Sequence, residues 1–167
     1  REKILGREEP TRSWYLDLSL LDGYWGEDRA YHHTAPITSI YALREALRIA
    51  AEEGIEARWA RHERVAGELV DGLADLGLSM NPPADLALPT LNAVEVPDGV
   101  DDTAVIDRLR DEHDIEIASG LGGLAGEIWR IGCMGYSARE KNVAYLLNAL
   151  EEALAAEGYT PAERAAI

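Results

Sequence analysis

A chain of 167 residues with 47% hydrophobic content is long enough to bury one ordinary core, and reads as a globular protein. No run of about eighteen apolar residues occurs, so no segment reads as a membrane-spanning helix. With 31 acidic residues against 16 basic ones the net charge is −15, a surface that repels nucleic acid, whose recognition needs a basic footprint.

Only Lys3 and Lys141 are lysines, and the other basic residues are arginines. Self-repulsion of this size is screened by salt, which suggests a halophilic source; an ordinary acidic cytoplasmic enzyme is the plainer alternative. The single cysteine, Cys133, leaves no internal disulfide and no cysteine-based metal motif. It sits in an apolar strand pattern, where a buried, inert thiol is expected. No leader peptide is legible, and the expected location is the cytoplasm.

In chain order, residues 1–30 read as a polar and aromatic lead-in. Ser13-Trp14-Tyr15-Leu16 is expected to open a short helix, and Gly23, Gly26 and Glu27-Asp28 to form a loop. Tyr31-His32-His33-Thr34-Ala35-Pro36 then stands before a helix over 37–54, in which Ile37, Ile40, Leu43, Leu47 and Ala50 repeat with a 3.6 period. The first turn of a helix has unpaired N–H groups and attracts anions, and Pro36 fits there without loss. Tyr31, Thr34 and the free amides together suit a phosphate or a carboxylate; a Thr cap with aromatic packing is the structural alternative. Adjacent imidazoles at His32 and His33 point in different directions, so packing, or a hydrogen bond near a ligand, is expected there rather than a metal.

A second helix begins at Ile55 and runs to Gly77, with Trp59, His62, Ala66, Leu69, Leu73 and Leu76 on one stripe. His62 on that stripe reads as a core or boundary histidine. Leu78-Ser79-Met80 is a candidate short strand ended by Asn81-Pro82-Pro83, and residues 90–96 are a second strand. Asp101 or Asp102 caps a third helix carrying Val105, Ile106 and Leu109. Ile115-Glu116-Ile117 and residues 128–133 alternate as strands. Ser137-Ala138-Arg139-Glu140 reads as a capping box before a helix with Val143, Leu146, Leu147, Leu150 and Leu154 on one face. Residues 160–167 read as a frayed tail. This order predicts a small α/β sandwich, a mostly antiparallel sheet with helices over one face.

Arg130, inside the apolar run Ile128-Trp129-Arg130-Ile131-Gly132-Cys133, is the sharpest candidate for chemistry. A guanidinium in a strand centre needs an anionic partner, and its planar fork suits a carboxylate. Glu116 and Glu127 are the internal partners it would take in a purely structural role. Gly120-Leu121-Gly122-Gly123-Leu124-Ala125-Gly126 has the look of a nucleotide loop, but a strand rather than a helix is expected after it, which weakens that reading.

Tyr31-His32-His33-Thr34-Ala35-Pro36, running into Ile40-Tyr41-Ala42-Leu43-Arg44-Glu45-Ala46-Leu47, resembles the class V (fold-type I) aminotransferases, in particular their alanine–glyoxylate and serine–glyoxylate branch. The likeness continues through Trp14-Tyr15-Leu16-Asp17, Tyr24-Trp25-Gly26, Asp114-Ile115-Glu116-Ile117 and Trp129-Arg130-Ile131-Gly132, covering roughly residues 10–155. The resemblance implies pyridoxal 5′-phosphate as cofactor and small amino acids and 2-oxo acids as substrates: alanine or serine as donor, glyoxylate or another 2-oxo acid as acceptor. It implies that Arg130 grips the substrate α-carboxylate. Tyr31 and Thr34 would reach across a homodimer to the phosphate of the partner's cofactor. Residues 1–36 would end the large cofactor-binding domain, 37–54 bridge, 55–158 form the small domain and 159–167 the tail. Neither Lys3 nor Lys141 matches the family's Schiff-base lysine motif. The expectation is therefore a C-terminal fragment, inactive alone, with a non-catalytic α/β binding or dimerisation module as the alternative. A related desulfurase would carry a reactive cysteine on a mobile loop, which Cys133 does not resemble.

Overall fold

The computed structural model describes residues 2–9, 11–27 and 29–160. Its contacts divide the chain into two compact units, Arg1–Ile49 and Ala50–Ile167, the division falling inside the third helix.

The first unit contains α1 (Glu2–Leu5), α2 (Leu18–Trp25) and most of α3 (Ile37–Glu53). The expected helix start at Ser13 is corrected. Residues 13–16 form turns, with Leu16 N–H bonded to Ser13 O at 3.2 Å, and α2 begins only after Asp17. Asp17 is the cap because its carboxylate accepts the Ser19 N–H at 2.9 Å. Gly23 lies within α2 rather than in a loop, Gly26 closes that helix, and Asp28 lies outside the described residues. None of the residues of α3 is buried, although its apolar stripe carries Ile37, Ile40, Leu43 and Leu47.

The second unit is built from α4 (Ile55–Asp75), β1 (Leu91–Glu95), α5 (Asp102–His113), β2 (Ala118–Ser119), β3 (Ile128–Gly132) and α6 (Glu140–Ala156). The α4 stripe holds in its later turns, where His62, Ala66, Leu69 and Leu73 are buried beside Val65. Its first turn differs, with Ile55 and Trp59 exposed. Gly77, at φ 76°, takes the left-handed conformation that stops α4, while Leu78 N–H returns to Leu73 O at 2.9 Å. Residues 79–81 then run beside β1 through single bonds, Glu95 N–H to Ser79 O and Asn81 N–H to Ala93 O, both 2.9 Å. They make an isolated bridge, Met80 to Val94, rather than the expected strand.

The sheet is antiparallel, in the order β1-β3-β2. Directly opposed residues share a face. Val94, Trp129 and Ser119 therefore lie on one face, and Ala93, Arg130 and Ala118 on the other. The first face packs with α4, α5 and α6 in a single cluster that includes Leu69, Leu109, Trp129, Ile131 and Leu150. Asp101 caps α5 by accepting the Thr103 and Ala104 N–H groups.

Two local expectations fail for identifiable reasons. Residues 115–117 do not form a strand: Asp114 adopts φ 54° to end α5, and Ile115 N–H bonds back to Leu109 O at 3.0 Å, so pairing starts only at Ala118. Ser137 does not open a capping box. Arg139 N–H bonds to Ser137 O at 2.8 Å and Arg61 holds Ala138 O at 2.6 Å, which keeps this stretch non-helical until Glu140. The last tail residues, 161–167, lie outside the described residues. Among the described residues no helix is long and apolar enough to cross a membrane.

Candidate functional site

Arg130 sits at the middle of the central strand, on the face away from the helical core. Its register partners there are Ala93 and Ala118, both with small side chains. Its Nε–H donates to Ser119 O at 2.8 Å. Among the described residues no carboxylate forms an ion pair with it, Glu116 and Glu127 included. A part-buried cation with no internal counter-charge suits an anion from outside this unit.

The glycine-rich loop beside it closes tightly. Gly120 N–H bonds to Ile128 O at 2.8 Å, and a Cβ on Gly120 would stand 1.9 Å from Leu124 O, so no larger residue fits. A one-turn 3-10 helix at Gly122–Leu124 and then β3 follow. No α-helix N-terminus is presented to a pyrophosphate there.

In the first unit the structure brings Tyr31 and Thr34 together, their hydroxyl oxygens 2.6 Å apart, three residues before α3 begins. Tyr31 is exposed, so the pair is open to a ligand. Beneath it, His32 is buried, its ring centroid 4.1 Å from that of Trp14, while His33 lies 4.9 Å from Tyr15. The two imidazoles thus serve as packing groups for the segment. Among the described residues no group of three potential ligands is arranged to hold a metal.

A third constellation was not legible in the sequence. His62 Nδ1–H donates to Arg58 O at 2.7 Å, which leaves Nε2 to accept the Gly135 N–H at 2.9 Å. Arg61 donates to Gly135 O and Ala138 O, and with Arg58 it grips Glu53. This clamp fastens the turn after β3 to α4. The Arg61 and Arg58 guanidinium groups hold the Glu53 carboxyl down to about 2, from an ordinary 4.5. A depressed carboxylate contributes stability that is complete above its unfolded value and lost as pH falls through its folded one. The melting-temperature difference between wild type and Glu53→Gln should therefore be complete above 4.5 and vanish near 2. A difference that does not change with pH would show that the ion pairs do not contribute. Cys133, at the root of the same turn, is buried, and burial pushes its thiol above the ordinary range, as suits an inert side chain.

An antiparallel small sheet with an outward-facing, unpaired arginine, together with a hydroxyl pair ahead of a long helix, is the class of structure expected for part of a fold-type I aminotransferase. By sequence and by fold, the chain is related to the class V aminotransferases on their alanine–glyoxylate branch. It is 45% identical over 150 residues to the (S)-ureidoglycine–glyoxylate transaminase of Bacillus subtilis, covering 90% of this chain and 36% of that protein. With the alanine–glyoxylate aminotransferase of Felis catus it shares 42% identity over 159 residues, 92% of this chain and 38% of the other. The crystal structure of the alanine–glyoxylate aminotransferase of Nostoc sp. superposes with a TM-score of 0.85 at 50% identity, over 92% of this chain and 41% of that one. The chain thus spans about two fifths of the length of these relatives. No family model matches it.

Proposed function

We propose that this chain is the C-terminal, substrate-anchoring portion of a pyridoxal-phosphate aminotransferase. The enzyme would move an amino group from a small amino acid, alanine or serine, to glyoxylate or another 2-oxo acid. The observation that carries this reading is Arg130: a part-buried guanidinium with no carboxylate partner among the described residues, on the sheet face away from the helical core, in a chain similar to glyoxylate transaminases.

When bound, the cofactor supplies the electron sink for the amino-acid α-carbon. This chain's residues bind and orient. Arg130 takes the substrate α-carboxylate through its free guanidinium nitrogens, fixing which end of the substrate enters. The Tyr31 and Thr34 hydroxyls stand 2.6 Å apart, one donating to the other. The pair therefore presents one free O–H as it stands and offers a phosphate both donors only when the ligand replaces that mutual bond, next to a helix start that favours negative charge. In this reading residues 1–36 finish the large domain, 37–54 bridge, and 55–158 form the small domain.

Lys3 lies on α1 and Lys141 on α6. Neither is the cofactor lysine of this reading, so the 167-residue chain by itself should not transaminate. Incubation with pyridoxal phosphate and borohydride should leave no stoichiometric label on one lysine. Saturable labelling of Lys141 together with turnover would overturn the assignment.

The active assembly is a homodimer in which Tyr31 and Thr34 serve the partner's cofactor. In the complete enzyme, Tyr31→Phe and Thr34→Ala should each raise the cofactor dissociation constant about tenfold or more, since each removes a hydrogen bond to a dianion, roughly 1.5–3 kcal/mol. A heterodimer tests the geometry. One subunit lacks the cofactor lysine, and the other carries both substitutions. The one lysine-bearing site is then served by intact Tyr31 and Thr34 from the opposite chain. Near-normal cofactor affinity at that site is expected; weak affinity would mean that both residues act within their own subunit.

A further inference from the structure

The hydrogen bond from Arg130 does not end at Ser119. The Ser119 hydroxyl donates to Asp102 Oδ2 at 2.7 Å and accepts the Gly126 N–H at 3.1 Å. The other oxygen of Asp102 accepts from Thr103 Oγ1 at 3.1 Å, and its backbone carbonyl faces Trp129 Nε1 at 3.4 Å. Asp102 is the first residue of α5, a helix of 12 residues capped by Asp101, and so forms a fixed post.

We propose that Ser119 and Asp102 are positioning residues for the carboxylate grip of Arg130, an inference that rests on the substrate-anchoring reading given above. The strand that carries Ser119 is only two residues long, at the edge of the sheet, and is followed at once by the glycine loop. The peptide that carries the Ser119 carbonyl is tied to β3 on its other side by Gly120 N–H to Ile128 O at 2.8 Å, and the Ser119 side chain adds a second anchor. Ser119 lies opposite Trp129, on the helix-covered side, and its hydroxyl ties this edge to α5. Its carbonyl, part of the same residue, receives the Arg130 Nε–H. A side chain on one face of the sheet thereby fixes a guanidinium that works on the other.

Fixing Nε has a chemical consequence. An arginine presents five N–H donors in one plane. With Nε–H committed to Ser119 O, the remaining four lie on the two terminal nitrogens, and a carboxylate is met end-on by both. Freed from Ser119, the fork could rotate and offer Nε and one terminal nitrogen instead, changing the angle at which the substrate sits. A substrate turned at its carboxylate is held less well in the reacting orientation.

The test has one arm on this chain and one on the complete holoenzyme. In the chain, solvent exchange of the Arg130 Nε–H is followed by nitrogen-15 NMR. Ser119→Ala and Asp102→Asn should each speed it about three- to tenfold, the loss of one ordinary hydrogen bond's restraint, and Ser119→Thr, which keeps a hydroxyl, should restore it. In the holoenzyme the same two variants should raise KM for both the amino acid and the 2-oxo acid about three- to tenfold, with kcat changed by less than about twofold. Unchanged exchange in both variants, with folds intact by melting temperature, overturns the positioning role. So does an unchanged KM in both when Arg130→Ala raises it. If Arg130→Ala itself leaves KM unaltered, the substrate-anchoring reading fails, and with it the catalytic part of this inference, while the exchange arm still decides whether Ser119 and Asp102 hold the guanidinium.

Discussion

Arg130→Ala in the complete enzyme is expected to lower kcat/KM for carboxylate substrates by roughly thirty- to a thousandfold, the loss of a charge-assisted bidentate contact of about 2–4 kcal/mol. Cofactor affinity should change far less, because in the proposed reading Arg130 meets the substrate carboxylate and not the cofactor. The effect should appear for donor and acceptor alike, since both carry a carboxylate beside the reacting carbon. Arg130→Lys should fail as well. An ammonium is a point charge with no fork, and it cannot both keep the Ser119 carbonyl and meet two carboxylate oxygens in a plane. Steady-state kinetics with spectroscopic titration of the cofactor separates the two quantities. Normal kinetics in the alanine variant, with only stability altered, would return Arg130 to a structural role.

The neighbouring residue should show the opposite behaviour. Trp129 points into the helix-covered face, is fully buried, and is the largest side chain so enclosed. Trp129→Ala should lower unfolding free energy by about 3–5 kcal/mol, through lost burial and the cavity left behind. That is a large share of the roughly 5–15 kcal/mol typical of a whole domain. Its indole N–H contributes little, since it stands 3.4 Å from the Asp102 carbonyl. Trp129→Phe should therefore recover most of the loss. Urea unfolding of the chain, monitored by circular dichroism, gives the comparison. A fall of less than about 1 kcal/mol in Trp129→Ala would mean that the core is not closed around this ring. Two adjacent residues on one strand would thus divide the work, one holding the fold and the next holding the substrate, because successive side chains leave a strand on opposite faces.

The strand that carries both residues was legible in the sequence. Apolar residues around a single arginine mark a strand with one aberrant position, and the strand's period assigns Arg130 to the face opposite Trp129 and Ile131. The helices over 37–53 and 55–75 were legible because their apolar residues recur with the helical period and Gly54 and Gly77 punctuate them. What escaped was local chemistry that depends on distant partners. The stretch 115–117 alternates like a strand, yet Asp114 turns left-handed and draws Ile115 into the end of α5. Ser137 and Glu140 have the spacing of a capping box, but Arg61, far away in the chain, takes the carbonyl that would have to join the helix. The Ser119–Asp102 bond and the His62–Gly135 bond join residues 17 and 73 positions apart, and nothing in local composition marks such pairs.

The most direct measurement follows a labelled amino group. The complete holoenzyme is incubated with nitrogen-15 alanine or serine and glyoxylate, and the glycine formed is examined by mass spectrometry. The account predicts nitrogen-15 glycine from the wild type and its near-disappearance in Arg130→Ala at subsaturating substrate, with cofactor still bound. Absence of nitrogen-15 from the glycine formed with glyoxylate, and from the amino acid corresponding to any other 2-oxo acid acceptor, with either donor, or equal labelling by wild type and variant, would contradict it.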